Sequence, residues 1–311
     1  VPRQLIASGG TAGASGSSGS SHSVQGLVPR HRMSPPMLAS TGAPVAACAS
    51  GVFEIPVFAA GTRAMGEAIV AATSAGAASV VKLPGGVPAR TAGPLFCGGI
   101  TEPVLELLAS GKATALSTGG LGMSERVVQI LNDTPDVRDH LVIRNGDITN
   151  SAEVISRLGL VALNTGIEID IYGNVNSTHV SGSKMMNGIG GSGDFARNAR
   201  LAVFVTKSIA KEGRISSVVP FVSHVDHTEH DVDVVVTEQG YADLRGLAPR
   251  ERVVVIIENC VHPMYREALR EYYAEALTRG GQTPHVLEKA FSWHTNLAEH
   301  GSMLAKKEQT V

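Results

Sequence analysis

The chain has 311 residues, of which 43% are hydrophobic, so it can bury the core of one large or two ordinary globular domains. Its 26 basic and 28 acidic residues leave a net charge of -2, and aromatic residues make up only 4% of the sequence. The sequence lacks the basic stripe interleaved with aromatic rings that is typical of nucleic-acid binding, so no nucleic-acid partner is expected. It also contains no run of about twenty apolar residues, so no membrane partner is expected.

The cysteines Cys48, Cys97 and Cys260 are odd in number and widely separated. This pattern fits a reducing compartment better than a disulfide framework or a zinc knuckle. We therefore expect a cytoplasmic protein, or a mitochondrial one if the source is eukaryotic.

Residues 1–50 are rich in Ser, Gly, Ala and Pro and predict a disordered or linker-like leader. Such a composition cannot bury enough apolar surface to offset its chain entropy. The run Leu-Val-Pro-Arg at 27–30 is similar to a protease-cleavage linker, with a native low-complexity leader or a transit peptide as alternatives. Folded material is expected from residue 51 onward.

The first folded segment is predicted to be a strand over 52–60, followed by a helix over 61–73. Gly61 lies between them, and a strand, a glycine turn and a helix N-terminus can together bind an anion. Many purely structural helices begin at the same kind of turn, so the turn alone does not decide between the two.

Helices and strands alternate regularly beyond residue 95. The pattern predicts helices over 101–110, 124–133 and 151–159, strands over 113–118, 140–145, 214–223 and 231–240, and one or two strands over 160–173. Three more helices are predicted over 249–260, 263–280 and 285–301. The alternation predicts the α/β class, with an open, mostly parallel sheet flanked by helices and a helical carboxyl-terminal extension.

The stretch 168–198 sets a polar run of Asn, Ser, Thr and His beside a cluster of glycines. The glycines are Gly188, Gly190, Gly191 and Gly193. Dense glycines let backbone N–H groups approach a phosphate, a thioester oxygen or an oxyanion, although a plain tight turn has the same composition. Ser192 is not a nucleophile elbow, because Asp194 stands where the G-x-S-x-G pattern needs glycine. A serine hydrolase is therefore disfavoured.

The segment 223–231, Ser-His-Val-Asp-His-Thr-Glu-His-Asp, alternates imidazoles and carboxylates in a manner that resembles a metal site. The HExxH spacing is absent, however, and histidines three residues apart fit a helix face imperfectly and a strand face not at all. A hydrogen-bonded structural role is favoured, and no metal is predicted.

Two carboxylates lie where α/β sheets form sites. Glu102 is at the start of a predicted helix, Glu238 ends a very apolar strand, and each follows a threonine. Ligands bind at strand ends in α/β sheets. Each carboxylate is either a satisfied surface group or one with a perturbed pKa suited to nucleophilic or acid-base work, and periodicity leaves both open.

Together these segments resemble the acetyl-CoA hydrolase/transferase family, the class I CoA-transferases of the acetate or succinyl-CoA:acetate type, in their carboxyl-terminal half. The resemblance runs over 140–303 and is carried by LVIRNGDITNSAEVISRLG, IYGNVNSTHVSGSKMMNGIGGSGDFARNA, SHVDHTEHDVDVVVTEQG and FSWHTNLAEHGSM. It implies a CoA-transferase C-terminal-type α/β domain over 51–311.

The resemblance implies that CoA moves between a short-chain acyl-CoA (acetyl, succinyl or propionyl) and a carboxylic acid through a glutamyl-CoA thioester. CoA is then a substrate and a covalent intermediate, and no permanently bound cofactor is expected. The family's nucleophile corresponds to Glu102 in TEPVLELLASGK, and Asn150 corresponds to a residue that contacts it. Gly191 corresponds to the oxyanion donor, and Glu238 to the second carboxylate. The residues expected to contact CoA are Gly61, Asn187, Gly190, Gly191 and Lys211.

Two departures from the family pattern affect these expectations. Pro103-Val104-Leu105-Glu106 follows Glu102 where the family usually has Val-x-Gln-Asp, and residues 61–66 represent the family's CoA-binding loop only loosely. Family members also carry an amino-terminal α/β half. The open interpretations are a CoA-transferase, an acyl-CoA hydrolase using the same glutamate, or a non-catalytic fragment. The implied partners are acyl-CoA and small carboxylates, with a homo-oligomer or a second chain supplying the other half.

Overall fold

A computed structural model of the chain describes residues 46–48, 52–53, 69–74, 77–82, 95–99, 102–111 and 113–304. Only the backbone is described for the first four segments. Of the predicted leader, Ala46–Cys48 is described, as a strand, and the rest lies outside the described residues, as does Gly61.

The strands are β1 Ala46–Cys48, β2 Val52–Phe53, β3 Ile69–Ser74, β4 Ala77–Lys82, β5 Leu95–Cys97, β6 Leu116–Thr118, β7 Leu141–Ile143, β8 Val161–Thr165, β9 Glu168–Asp170, β10 Val175–Asn176, β11 His179–Val180, β12 Lys184–Met185, β13 Leu201–Val205, β14 Ile209–Ala210, β15 Ile215–Ser216, β16 Val218–Val219, β17 Val234–Thr237 and β18 Gly240–Asp243. The helices are α1 Glu102–Ala109, α2 Glu125–Asp133, α3 Pro135–Asp139, α4 Gly146–Thr149, α5 Ala152–Leu158, α6 Ser192–Asn198, α7 Pro249–Cys260, α8 Pro263–Arg279 and α9 Ser292–His300.

The largest sheet has eight strands in the order β18-β17-β13-β8-β1-β5-β6-β7. Each neighbouring pair is parallel except β17 with β18. The sheet is wound in two directions from β1, because β5, β6 and β7 continue on one side and β8, β13 and β17 on the other. The predicted fold class, an open and mostly parallel α/β sheet flanked by helices, is confirmed.

Alternate side chains of the central strands pack into opposite faces of this sheet. Leu201, Val203 and Val205 of β13 join the apolar cluster that α1, α2 and α3 cover. Ala202 and Phe204 point the other way, into the cluster that includes α7, α8 and α9. Burial on both faces explains why β13 reads as an unbroken apolar run.

The carboxyl-terminal helices confirm the predicted extension. Prolines at the first helical position begin α7 and α8, where the missing N–H costs nothing. The helix predicted over 285–301 is shorter than expected, since α9 covers Ser292–His300 and a separate 3-10 turn covers Leu287–Lys289. None of the helices in the described residues combines the length and apolar character that a bilayer crossing requires.

Two predicted elements were wrong in part. The helix predicted over 61–73 overlaps β3, which pairs antiparallel with β4. Its Ile-Val-Ala-Ala-Thr run is short enough for apolar periodicity to fit either structure, and its β-branched residues favour the strand. The strand predicted over 214–223 is divided into β15 and β16, which belong to different small sheets. The Ser216 hydroxyl donates to the Val218 carbonyl (2.7 Å) at this break.

Candidate active site

The carboxyl ends of the parallel strands define one edge of the large sheet, and the predicted site residue Glu238 lies there together with two glycines. Gly98 directly follows β5, Gly119 follows β6, and Glu238 follows β17. In open α/β sheets ligands bind outside this edge, at the point where the winding direction reverses. That point is β1, between β5 and β8.

Asn150 lies against two glycine backbones at this edge. It ends α4, where its N–H donates to the Gly146 carbonyl (2.9 Å). A Cβ placed on Gly191 would lie 2.7 Å from Asn150 Nδ2, and one placed on Gly98 would lie 3.2 Å from Asn150 Oδ1. The structure therefore brings together Asn150 and Gly191, two of the residues predicted from the sequence, and adds Gly98 as a third.

The Asn150 side chain is buried at its oxygen. Among the described residues no donor reaches Asn150 Oδ1. A buried amide oxygen normally accepts a hydrogen bond, so this atom can accept one from a bound group. The catalytic roles of Asn150 and Gly191 stay predictions.

Glu102 is the first residue of α1 and is half-buried. Its Oε2 accepts a hydrogen bond from the Ser124 hydroxyl (3.0 Å). Ser124 also caps α2 by accepting the Val127 N–H (3.2 Å), so the carboxylate is tied to the first turns of two helices. A carboxylate is favoured at a helix N-terminus.

Glu238 is held as a carboxylate by the loop after the neighbouring strand. The Ser208 N–H donates to its Oε2 (2.8 Å), the Ser208 hydroxyl donates to Oε1, and the Gln239 amide donates to Oε1 (3.2 Å). Burial by itself would raise the pKa of Glu238, but these hydrogen bonds outweigh it and hold the pKa below its ordinary value. Glu238 is therefore ionised at neutral pH.

The residues predicted to contact CoA lie in different elements. Asn187 donates from its amide to the Ser177 carbonyl (3.0 Å), and Gly190 has a φ of +57° in the turn before α6. Lys211 has a φ of +47° in the turn between β14 and β15, and its side chain is exposed. Their role toward CoA stays a prediction.

The histidine segment 223–231 forms a hydrogen-bonded network. The buried His227 ring lies 3.0 Å, at Nε2, from the Ser192 hydroxyl. Asp226 Oδ2 accepts from the Ser177 N–H (2.7 Å) and the Thr178 hydroxyl (2.8 Å). Burial lowers the pKa of His227 to about 4, so its ring is neutral at physiological pH.

A buried carboxylate–imidazole contact joins α9 to the small sheet β10-β9-β16. His294 Nε2 lies 2.9 Å from Glu168 Oε1, and both side chains are less than 10% exposed. Glu168 Oε2 also accepts from the Asn176 amide (3.1 Å) and the Ser223 hydroxyl (3.0 Å). Burial alone would raise the pKa of Glu168, but the hydrogen bond and charge of His294, with the other donors, hold it below its ordinary value.

Sequence reasoning missed several of these contacts. Gly98 carried a readable signal, because a glycine pair follows the apolar run Leu95–Cys97. Ser124 and Ser208 carried none, since isolated serines are common in caps and turns. His294 lies 126 positions from Glu168, and only the folded chain shows that they meet.

Residues 125–273 match the family described as acetyl-CoA hydrolase/transferase C-terminal domain. The succinyl-CoA:acetate CoA-transferase of Clostridium kluyveri is 58% identical over 206 residues, which cover 66% of this chain and 38% of that protein. The acetyl-CoA hydrolase of Yarrowia lipolytica is 50% identical over 176 residues, covering 54% of this chain and 34% of that protein. Residues 125–273 therefore form an acetyl-CoA hydrolase/transferase C-terminal domain, and the chain spans well under half the length of these relatives.

Among solved structures, RipA from Yersinia pestis superposes with a TM-score of 0.53 at 25% identity. The superposition covers 60% of this chain and 44% of RipA. It agrees with the α/β architecture described above.

Proposed function

We propose that this chain carries the carboxyl-terminal part of the active site of a CoA-transferase. The enzyme would move CoA between a short-chain acyl-CoA (acetyl, succinyl or propionyl) and a carboxylic acid. The observation that carries the proposal is the Asn150 amide packed on the Gly191 backbone at the carboxyl edge of the sheet. The family relationship supports this chemistry for that edge.

Glu102 is the proposed nucleophile. Its carboxylate attacks the thioester carbonyl, the tetrahedral intermediate collapses, and CoA leaves as a thiolate, which forms an acyl-glutamyl anhydride. The thiolate then attacks the glutamyl carbonyl and releases the first acid, so the enzyme holds a glutamyl-CoA thioester. The second carboxylate reverses both steps and leaves as the new acyl-CoA.

The proposed role of Gly191 and Asn150 is to stabilise charge in these steps. The tetrahedral intermediates carry an oxyanion, and a prearranged N–H donor stabilises it without reorganisation. The Gly191 N–H and the Asn150 amide are the groups that we assign to this task. Glu238, held ionised by Ser208, is the proposed second carboxylate of the site.

CoA would contact Asn187, Gly190 and Gly191, with Gly61 and Lys211 as further candidates. Lys211 supplies a positive charge suited to the phosphates of CoA. Binding energy from these remote parts of the substrate lowers the barrier at the carbonyl.

Hydrolysis of acyl-CoA by the same glutamate is the second candidate function. The 50% identity to an acetyl-CoA hydrolase supports it. In that reaction water takes the place of the acceptor carboxylate. The third interpretation is a non-catalytic fragment, in which no glutamyl thioester forms.

A trapping experiment tests the nucleophile. The full chain is incubated with acetyl-CoA, treated with borohydride, which reduces a glutamyl thioester to the alcohol, and digested for mass spectrometry. We expect the modification on the peptide that contains Glu102, and its loss in Glu102→Gln. Modification at Glu238 instead would reassign the nucleophile, and an unmodified chain would count against both enzymatic functions.

A further inference from the structure

The turn 189–192 needs an external support, because it carries Gly191 and is built from flexible residues. Gly190 has a φ of +57°, and residues 188–190 are exposed. The Ser192 hydroxyl donates to the Ile189 carbonyl (2.9 Å), which closes the turn around the two glycines. Whatever fixes the Ser192 hydroxyl therefore fixes the backbone at Gly191.

His227 is that support, and its own position is rigid. It is fully buried, with its N–H bonded to the Val175 carbonyl (3.0 Å) and its carbonyl to the Val175 N–H (2.8 Å). Its ring packs against Phe204 of the central strand β13, with centroids 4.8 Å apart. The ring reaches Ser192 from this anchored position, with Nε2 3.0 Å from the hydroxyl.

The other partners of the two serine hydroxyls favour one direction for this hydrogen bond. Ser192 gives its one hydroxyl proton to the Ile189 carbonyl, and Ser177, 3.4 Å from the same Nε2, gives its proton to Asp226 Oδ2. With these assignments both oxygens offer lone pairs to the ring, and we assign the proton of the neutral imidazole to Nε2. Ser192 is then an acceptor from His227, and the pair is not arranged as a nucleophile with its general base.

We propose that His227 is a positioning residue: its Nε2–H, through Ser192, holds the turn 189–192 so that the Gly191 backbone stays against the Asn150 amide. This inference rests on the proposed function, in which Gly191 and Asn150 stabilise the oxyanion. His227 touches neither substrate nor reacting atoms in this account. A displacement of about 1 Å in such a group is enough to lower turnover substantially.

Two amide substitutions of His227 test the proposal. His227→Gln can place an amide N–H near the position of Nε2, whereas the shorter His227→Asn places it near Nδ1, so the two differ in the one contact at issue. Ser192→Ala removes the acceptor. Each variant of the full chain is examined by amide hydrogen exchange over 189–192, by denaturant unfolding, and by kcat and KM for CoA transfer.

We expect His227→Asn and Ser192→Ala to speed exchange in the turn and to lower kcat by about tenfold or more, with KM for acyl-CoA nearly unchanged. His227→Gln should stay close to the wild type in both measurements. Combining His227→Asn with Ser192→Ala should cost no more than either alone, because both break the same hydrogen bond.

The proposal would be overturned if His227→Gln and His227→Asn had the same amide exchange in the turn and the same kcat. It would also be overturned if exchange became faster throughout the domain, since that indicates a merely structural role. The ring nitrogen shifts of His227 by NMR give a second check, since a proton on Nδ1 contradicts the assignment. A wild-type chain that transfers no CoA would count against the proposed function, while hydrogen exchange and the tautomer would still decide the role of His227 in the turn.

Discussion

The glycine at position 191 is required for packing rather than for backbone conformation. Its φ of -86° is open to any residue. A side chain would instead meet Asn150, whose Nδ2 would lie 2.7 Å from the new Cβ. Real Cβ atoms do not come this close, so Asn150 has to move, and Gly98 on its other side leaves it little room.

Gly191→Ala should therefore lower kcat by about 100-fold while the domain stays folded, because it displaces Asn150 from the proposed oxyanion site. The loss should be greater in Gly191→Val. Gly188→Ala is the matched control, since a Cβ there meets nothing within 4 Å. Steady-state kinetics and denaturant unfolding measure the two effects. An unchanged kcat in Gly191→Ala would remove the oxyanion role from this turn.

His179, His224 and Asp226 place ligand atoms within 4.8 Å of one another, which is close enough to hold a metal ion. The two imidazoles also contact each other, with centroids 3.9 Å apart and planes tilted by 35°, and His224 Nε2 lies 3.3 Å from Asp226 Oδ1, so these groups are already paired. Asp226 Oδ2 already accepts hydrogen bonds from three donors, the Ser177 N–H, the Ser177 hydroxyl and the Thr178 hydroxyl. The hydrogen-bonded interpretation of this segment stays our prediction.

Elemental analysis of the purified chain should accordingly find no zinc or iron near one atom per molecule. Treatment with a chelator should leave the melting temperature unchanged, whereas a structural zinc site would contribute several kcal/mol that its removal would reveal. His224→Ala should have little effect on stability, since this side chain is exposed. Stoichiometric metal that is lost together with His224 would show the prediction to be wrong.

A buried carboxylate–imidazole pair, Glu168 with His294, joins helix α9 to the small sheet β10-β9-β16. Removing one partner of such a pair leaves an uncompensated buried charge. The pKa of Glu168 is held below its ordinary value of 4.5, so the pair stabilises the fold above that pH and loses its effect as the pH falls through the lowered pKa.

His294→Leu should therefore lower the free energy of unfolding by about 3–5 kcal/mol at neutral pH. Without the imidazole, burial should raise the pKa of Glu168 in the folded variant. The folded form then binds a proton more tightly than the unfolded form, so the variant should gain stability as the pH falls. The difference from the wild type should shrink below a pH of about 4.5. His300→Leu on the same helix, where the histidine is exposed, is the control and should change little. A deficit that is independent of pH would mean that lost packing, not the charge, dominates.

Sequence patterns located most elements because hydrophobic periodicity is a local property. The predicted helices 249–260 and 124–133 match α7 and α2 within a residue or so, since each begins at a proline or a serine cap. The same reasoning missed β13, Leu201–Val205, because a run of five apolar residues gives no period to read. It also could not foresee that β9 leaves the large sheet, because strand pairing depends on contacts far apart in sequence.

For the candidate active site, sequence patterns predicted which residues are involved but not which residues they contact. The glycine cluster pointed to Gly191. Its contact with Asn150 was not predicted, because α5, β8 and several further strands separate the two residues along the chain. Glu102 was singled out by its position at a helix start, and its role as nucleophile came from the family resemblance, but its hydrogen bond to Ser124 was not predicted. The partners missing from the sequence analysis are those that the fold of the large sheet brings together.

At the level of the whole molecule, the domain covers 38% of a related transferase and 34% of a related hydrolase, so relatives of both activities share this carboxyl-terminal unit. In the mechanism that we propose, the two reactions share the glutamyl intermediate and differ in the group that attacks it. A carboxylate returns CoA to an acyl group, while water releases it. The oxygen atoms of the products therefore record which reaction takes place.

Turnover of acetyl-CoA with succinate in ¹⁸O-labelled water should leave the released acetate unlabelled if the chain is a transferase. In that reaction the oxygen gained by the departing acetate comes from the glutamate, which is refilled from the acceptor carboxylate, and water takes no part. With ¹⁸O-labelled succinate in ordinary water, label should pass through the enzyme into acetate. A hydrolase would show the opposite result. Label from water would enter the released acid or the glutamate, and succinate would not be needed.

Glu102→Gln is the control, because it should abolish transfer of label by either route. Mass spectrometry of the acetate decides between the two activities, and label from water in the product would contradict the transferase that we propose.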